Sequence, residues 1–94
     1  MPYLLIRHTV KDFQRWKTHF DEHAATRKAS GSKSGRLFRS SENPNEIVAL
    51  FEWDDLAQVK KFSTSENLRA VMQEAGVSEY PDIYLLDDVE SLPA

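Results

Sequence analysis

The stretch Glu46–Trp53, EIVALFEW, is apolar on both of its faces. Alternate residues of a strand point to opposite sides, so Ile47, Ala49, Phe51 and Trp53 oppose Val48, Leu50 and the charged Glu52. A strand of this kind must be covered twice. The chain has 94 residues and no cysteine, which allows one domain, residues 1–94, with a modest core and no disulfide or thiolate chemistry. A single helical layer supplies one cover. The other face is then expected to meet a second copy of the same chain.

The flanking segments supply the rest of such a domain. Tyr3 to Val10 alternates Tyr3, Leu5, Arg7 and Thr9 against Leu4, Ile6, His8 and Val10, the pattern of a strand with one mostly apolar face. Asp12 to Ala29 places Phe13, Trp16, Phe20 and Ala24 on one stripe at a period of 3.6. It reads as one long amphipathic helix with Asp12 at its start and Arg27 and Lys28 near its end. Ser30 to Gly35 reads as a flexible turn, and Arg36 to Ser41 as a second strand with Leu37 and Phe38 on opposite faces. After EIVALFEW, Asp54-Asp55 opens a second helix carrying Leu56, Val59 and Phe62 inward. Ser63–Glu66 interrupts it, with Ser65 placed to cap a continuation through Leu68, Val71, Met72 and Ala75, and Gly76 ends it. Asp82 to Asp88 is the last strand, and Val89 to Ala94 extends it or exchanges with a partner.

The order β-α-β-β-α-β is the split βαβ, ferredoxin-like arrangement of the α+β class. It sets two helices on one face of a four-stranded antiparallel sheet and leaves the other bare. Net charge is −3, with no basic run longer than Lys60-Lys61, so nucleic acid is not an expected partner. The apolar start of MPYLLIRHTV is broken by Arg7 and His8 too early for a signal peptide or membrane span, which leaves a cytoplasmic location by default.

The first-helix pattern Asp12-x-x-x-Trp16, the run Leu50-Phe51-Glu52-Trp53-Asp54-Asp55, and Phe62-x-x-Ser65-x-x-Leu68 with Ala75-Gly76 resemble the dimeric α/β-barrel superfamily. The closest resemblance is to its antibiotic-biosynthesis-monooxygenase-like and cyclase-like members, over nearly the whole chain. The resemblance implies a homodimer whose two helix-free sheet faces close into a barrel. It also implies a pocket in each subunit between the sheet and its own helices. Members include cofactor-free oxygenases acting on polycyclic phenols, cyclases, haem-degrading enzymes and proteins with no known activity, so the fold alone does not choose among them. Haem-degrading members carry a tryptophan on the second helix and an axial histidine about three turns later. By spacing from Trp53 those positions are Phe62 and Met72 here, which leaves iron without a protein ligand, so no cofactor is expected.

The residues that could carry chemistry are few. His19-Phe20-Asp21-Glu22-His23 matches H-x-x-E-H, and two histidines at i and i+4 can reach one metal. A peptidase would need a third ligand and a larger body, and other metal sites would need His8 or an acid, so no metal is assigned. His8, His23 and Arg27 form the more attractive set. A neutral histidine in an apolar pocket can take a phenolic or enolic proton, and an arginine can hold the resulting anion or a substrate carboxylate. At 1.5 Å rise per residue, His8 and Arg27 are expected more than about 20 Å apart, at opposite ends of a groove or in different sites. The alternative is a backbone-bonded histidine and a snorkelling arginine. Trp16, Phe20, Phe51, Trp53 and Phe62 are candidates to line a cavity for a planar molecule, Trp16 first among them, although aromatics at this spacing also serve as plain core. The expected function is a homodimer that binds a small apolar or aromatic molecule, as a cofactor-free monooxygenase or cyclase. The competing expectation is a non-catalytic ligand-binding or structural dimer.

Overall fold

The structure is a computed structural model, which describes residues 2–74, 76 and 81–94. Eight elements follow one another: β1 (Pro2–Thr9), α1 (Phe13–Glu22), α2 (Ala24–Ser30), β2 (Ser32–Arg39), β3 (Glu46–Trp53), α3 (Leu56–Ser63), α4 (Glu66–Glu74) and β4 (Asp82–Asp87). The strands form one antiparallel sheet in the order β2-β3-β1-β4. β1 and β2 therefore run the same way with β3 between them, which is the split βαβ connection the element order demands.

Caps written into the sequence set the helix starts. The Asp12 carboxylate accepts from the Gln14 N–H at 3.0 Å, Asp55 does the same for Ala57 at 2.6 Å, and the Ser65 hydroxyl accepts from the Leu68 N–H at 3.1 Å. The helices pack on the face of the sheet that carries Leu4, Ile6 and His8 from β1 and Ile47, Ala49, Phe51 and Trp53 from β3, all buried. Val59, Phe62 and Leu68 close the core from α3 and α4, and Trp16 from α1. Val71, by its side chain, and Ala75 belong to the expected inner stripe but lie outside the described residues. Among those described, no helix is long and apolar enough to cross a membrane.

The opposite face carries no helix. Register places Tyr3, Leu5 and Arg7 of β1 beside Val48, Leu50 and Glu52 of β3, with Phe38 of β2 and Tyr84 and Leu86 of β4 at its flanks. Phe38, Tyr84 and Leu86 are exposed, and Arg7 is ion-paired to both Glu46 and Asp82.

Two expectations need correction. The single helix over residues 12–29 is two helices, α1 and α2, divided at His23, whose φ and ψ are −82° and −3° and whose N–H and C=O still bond to His19 and Arg27. No proline or glycine marks the break; it coincides with the burial of the His23 ring against Phe62. The second strand starts at Ser32, not Arg36, because residues 32–35 pair with Trp53, Glu52 and Phe51 across a register shift. The turn before it is reduced to Gly31. That residue caps α2 at φ +118°, and a Cβ there would lie 2.5 Å from Gln58 Oε1. Gly35 is needed for a different reason: a Cβ there would lie 2.7 Å from the Phe51 ring, so glycine lets the edge strand close over that aromatic. Gly31→Ala should therefore destabilise the fold by about 1 kcal/mol or more, read as a lowered urea midpoint at unchanged slope.

Candidate functional site

The helix-facing side of the sheet is not completely filled. A cavity of about 40 Å³ remains, floored by Ile6 and His8 of β1 and Ala49 and Phe51 of β3. One wall is Trp16 and Phe20 of α1, His23 at the break, and Arg27 of α2; the other is Phe62 of α3 with Leu68 and Met72 of α4. The polar side chains in this lining are His8, His23 and Arg27. All else is aromatic or aliphatic.

A continuous set of rings leads from His8 to Arg27. The His8 ring meets Trp16 edge-on with centroids 5.4 Å apart, Trp16 stacks on Phe20 at 4.8 Å, and the Arg27 guanidinium lies 4.0 Å over Phe20 and 5.3 Å from the Phe51 centroid. Links of 5.4, 4.8 and 4.0 Å hold His8 and Arg27 well inside the separation expected from helix length alone. The helix folds back over its own strand, so one cavity takes residues from the strand end and from two to three helical turns later.

Each polar group has a distinct environment. His8 is 3% exposed, and its Nδ1 has no hydrogen-bond partner among the described residues. Burial, and secondarily the Arg7 charge beside it, pushes the imidazole down to about 4, so it is neutral at pH 7. His23 is buried and stacks on Phe62 at 5.9 Å. Arg27 donates from Nη1 to the Phe20 carbonyl at 2.9 Å, close to the helix break. Its burial lowers its pKa, opposed by Asp21, but a guanidinium starts so high that it stays charged.

Of the candidate aromatics, Trp16, Phe20, Phe51 and Phe62 line the cavity. Trp53 does not: it is fully buried behind Phe62, centroids 5.0 Å apart, and its indole nitrogen has no partner among the described residues. Leu68 and Met72 complete the wall and were legible only as an inner helical stripe. His19 is partly exposed on α1 and absent from the cavity lining. Among the described residues, no group of three histidine, aspartate or glutamate side chains converges on a metal position.

A sequence model of the antibiotic biosynthesis monooxygenase family matches residues 6–74. No curated protein matches the chain. Among solved structures, SnoaB, a cofactor-independent oxygenase from Streptomyces nogalater, superposes with a TM-score of 0.79 at 18% identity, over 99% of this chain and 97% of that one. A structure described as an antibiotic biosynthesis monooxygenase gives 0.73 at 17% identity, over 96% and 100%. A conserved protein from Methanosarcina mazei gives 0.72 at 14%, over 90% and 89%. At such identities these are likenesses of fold.

The depressed His8 fixes a sign for acid stability. Between about pH 4 and 6.5 the unfolded chain binds a proton at this position that the folded chain refuses, so stability falls as pH drops through that window. Going from pH 7 to pH 5, wild type should lose about 2 kcal/mol more than His8→Phe, measured by urea unfolding at both pH values.

Proposed function

The chain belongs to the antibiotic biosynthesis monooxygenase family, and on that premise we propose that it oxidises a planar phenolic or enolic molecule with dioxygen, without a cofactor, as a homodimer. The observation that carries the reading is His8 in the lining of an aromatic-walled cavity, with a buried ring nitrogen that has no hydrogen-bond partner among the described residues. Such a nitrogen has no role in holding the fold, and leaving a buried polar atom unpaired costs about 1–3 kcal/mol. A substrate hydroxyl would satisfy it.

The chemistry follows from the residues. His8 takes the proton of the bound hydroxyl and leaves a delocalised anion. A base held near 4 favours substrates that are already acidic, such as enols flanked by a second carbonyl. Arg27 lies at the other end of the ring stack, where its cation stabilises negative charge spread over the ring system. The electron-rich anion passes electrons to dioxygen, a carbon–oxygen bond forms, and the peroxide takes a proton. Loss of the second proton from that carbon then breaks the O–O bond and releases water. Overall a CH₂ and O₂ become C=O and H₂O, with four electrons moving from carbon to oxygen. Trp16, Phe20 and Phe51 hold the ring plane and exclude water.

The helix-free sheet face supports the homodimer. It joins exposed Phe38, Tyr84 and Leu86 to Leu5, Val48 and Leu50, the second apolar side of the central strands. A second reading, non-catalytic ligand binding, is favoured by the cavity's 40 Å³, far below the roughly 300 Å³ at which ligand pockets begin. Turnover separates the two. With an anthrone-type substrate and dioxygen, His8→Ala should cost about 100-fold or more in kcat at unchanged circular dichroism, and the acid limb of the wild-type profile should lie near pH 4 rather than 6.5. Full activity in His8→Ala would overturn the catalytic reading. Native mass spectrometry should show twice the 10.8 kDa chain mass, and Leu86→Arg should shift it to monomer.

A further inference from the structure

Beside this cavity lies a second, larger hollow, of about 260 Å³, between α2 and β2. The two share three lining residues: Phe20, Arg27 and Phe51. The Arg27 guanidinium, lying over both phenyl rings, is the partition between them. We propose that this outer hollow is a carboxylate subsite, so that the molecule bound beside His8 is an aromatic acid rather than a neutral phenol. The inference rests on the reading of the inner cavity as a substrate pocket.

The charges of the outer hollow point to an anion. Besides Arg27 it is lined by Lys28, Lys33 and Arg36, and among the described residues no aspartate or glutamate lines it, in a chain whose net charge is −3. The nearby acids are engaged elsewhere. Asp54 holds Lys33 at 3.2 Å, Asp21 holds Lys17 at 2.6 Å while also acting on Arg27, and Glu52 takes the Ser34 hydroxyl at 3.3 Å. Arg27 and Lys28 therefore leave a net positive concavity, while the Arg36 guanidinium lies 5.6 Å over the Phe38 ring on the helix-free face.

Arg27 supplies the geometric reason for a planar acid. A guanidinium has five N–H donors in a fixed fork. Here one nitrogen serves the Phe20 carbonyl, and among the described residues no carboxylate hydrogen-bonds to the group. Half-buried on aromatic faces, it has given up hydration without receiving a bidentate acceptor, which is what a carboxylate provides.

The volumes agree. Neither hollow alone accommodates a ring system with a polar tail, but 40 and 260 Å³ together reach the roughly 300 Å³ where ligand pockets begin. A carboxylate that draws the guanidinium outward removes the partition and joins them. The same contact that recognises the acid would then admit its rings to His8.

The test compares matched probes on the full-length chain by tryptophan fluorescence and calorimetry: 2-naphthol and 6-hydroxy-2-naphthoate, which carries hydroxyl and carboxylate at opposite ends. Wild type should bind the naphthoate about tenfold or more tighter than the naphthol. In Arg27→Gln that preference should fall to near unity, whereas Lys28→Gln, at an exposed position that leaves the Arg27 fork in place, should lower it about threefold with naphthol affinity unchanged, and 0.5 M salt should act as Lys28→Gln does. If naphthol binds to wild type and the naphthoate binds no better, or if the preference survives in Arg27→Gln, the carboxylate subsite is overturned while the pocket reading stands. If neither probe binds, the pocket reading falls and takes the subsite with it.

Discussion

The packing of the α1–α2 aromatics onto the inner face of β1 and β3 is the interaction on which the rest of this structure depends. Trp16 stacks on Phe20, and Phe20 lies 6.0 Å from Phe51, so one row of rings joins helix to sheet. Rings are rigid and planar, and they meet at preferred offsets instead of filling space as leucine or methionine would. A roof built of them over a floor of Ile6 and Ala49 leaves a remainder. The cavity is that remainder, and the helix break at His23 sets its shape. A roof of flexible aliphatic residues would stabilise the domain similarly and leave nothing to bind with.

How much of this was legible follows from whether the cause is local. The bounds of β3, the caps at Asp12, Asp55 and Ser65, and the interruption between α3 and α4 all depend on residues within a few positions of one another, and all could be read directly. The break at His23 could not. Its neighbours favour helix, and the contact that accompanies it, the ring of Phe62, is far away in sequence. The start of β2 failed for the mirror reason: Ser32 to Gly35 have poor strand propensity and pair only because β3 is there to receive them. Among site residues, periodicity placed Trp53 on the right face, but periodicity carries no depth, and depth is what removes Trp53 from the cavity. The basic hollow escaped because Arg27, Lys28 and Lys33 belong to two elements whose junction reads in the sequence as a loose turn.

His8 illustrates a local rule broken at a cost. The inner face of β1 reads Leu4, Ile6, His8, and an apolar residue at the third place would complete the core. Histidine gives up its protonated form there and leaves Nδ1 without a partner among the described residues. Departures of this kind from an otherwise consistent pattern concentrate at functional positions, because stability alone would remove them. His23 and Arg27 differ in that neither contributes a buried nitrogen without a partner among the described residues; Arg27 donates to the Phe20 carbonyl, and His23 stacks on Phe62. Their presence in the cavity is compatible with a structural role, whereas that of His8 is not explained by one.

The sheet separates two tasks without isolating them. Its inner face carries the cavity and its outer face the apolar surface left by β1, β3 and β4, and neighbouring residues of one strand serve opposite sides. Arg7 and His8 are such a pair. Arg7 points outward into the carboxylates of Glu46 and Asp82, yet its charge is one of the two causes that depress His8. Those carboxylates oppose the Arg7 charge, so their strength sets how much of it reaches the imidazole. Covering the outer face would lower the dielectric around this triad and strengthen every term in it. The basicity of the buried histidine is therefore tied, through one peptide unit, to what lies against the far side of the sheet.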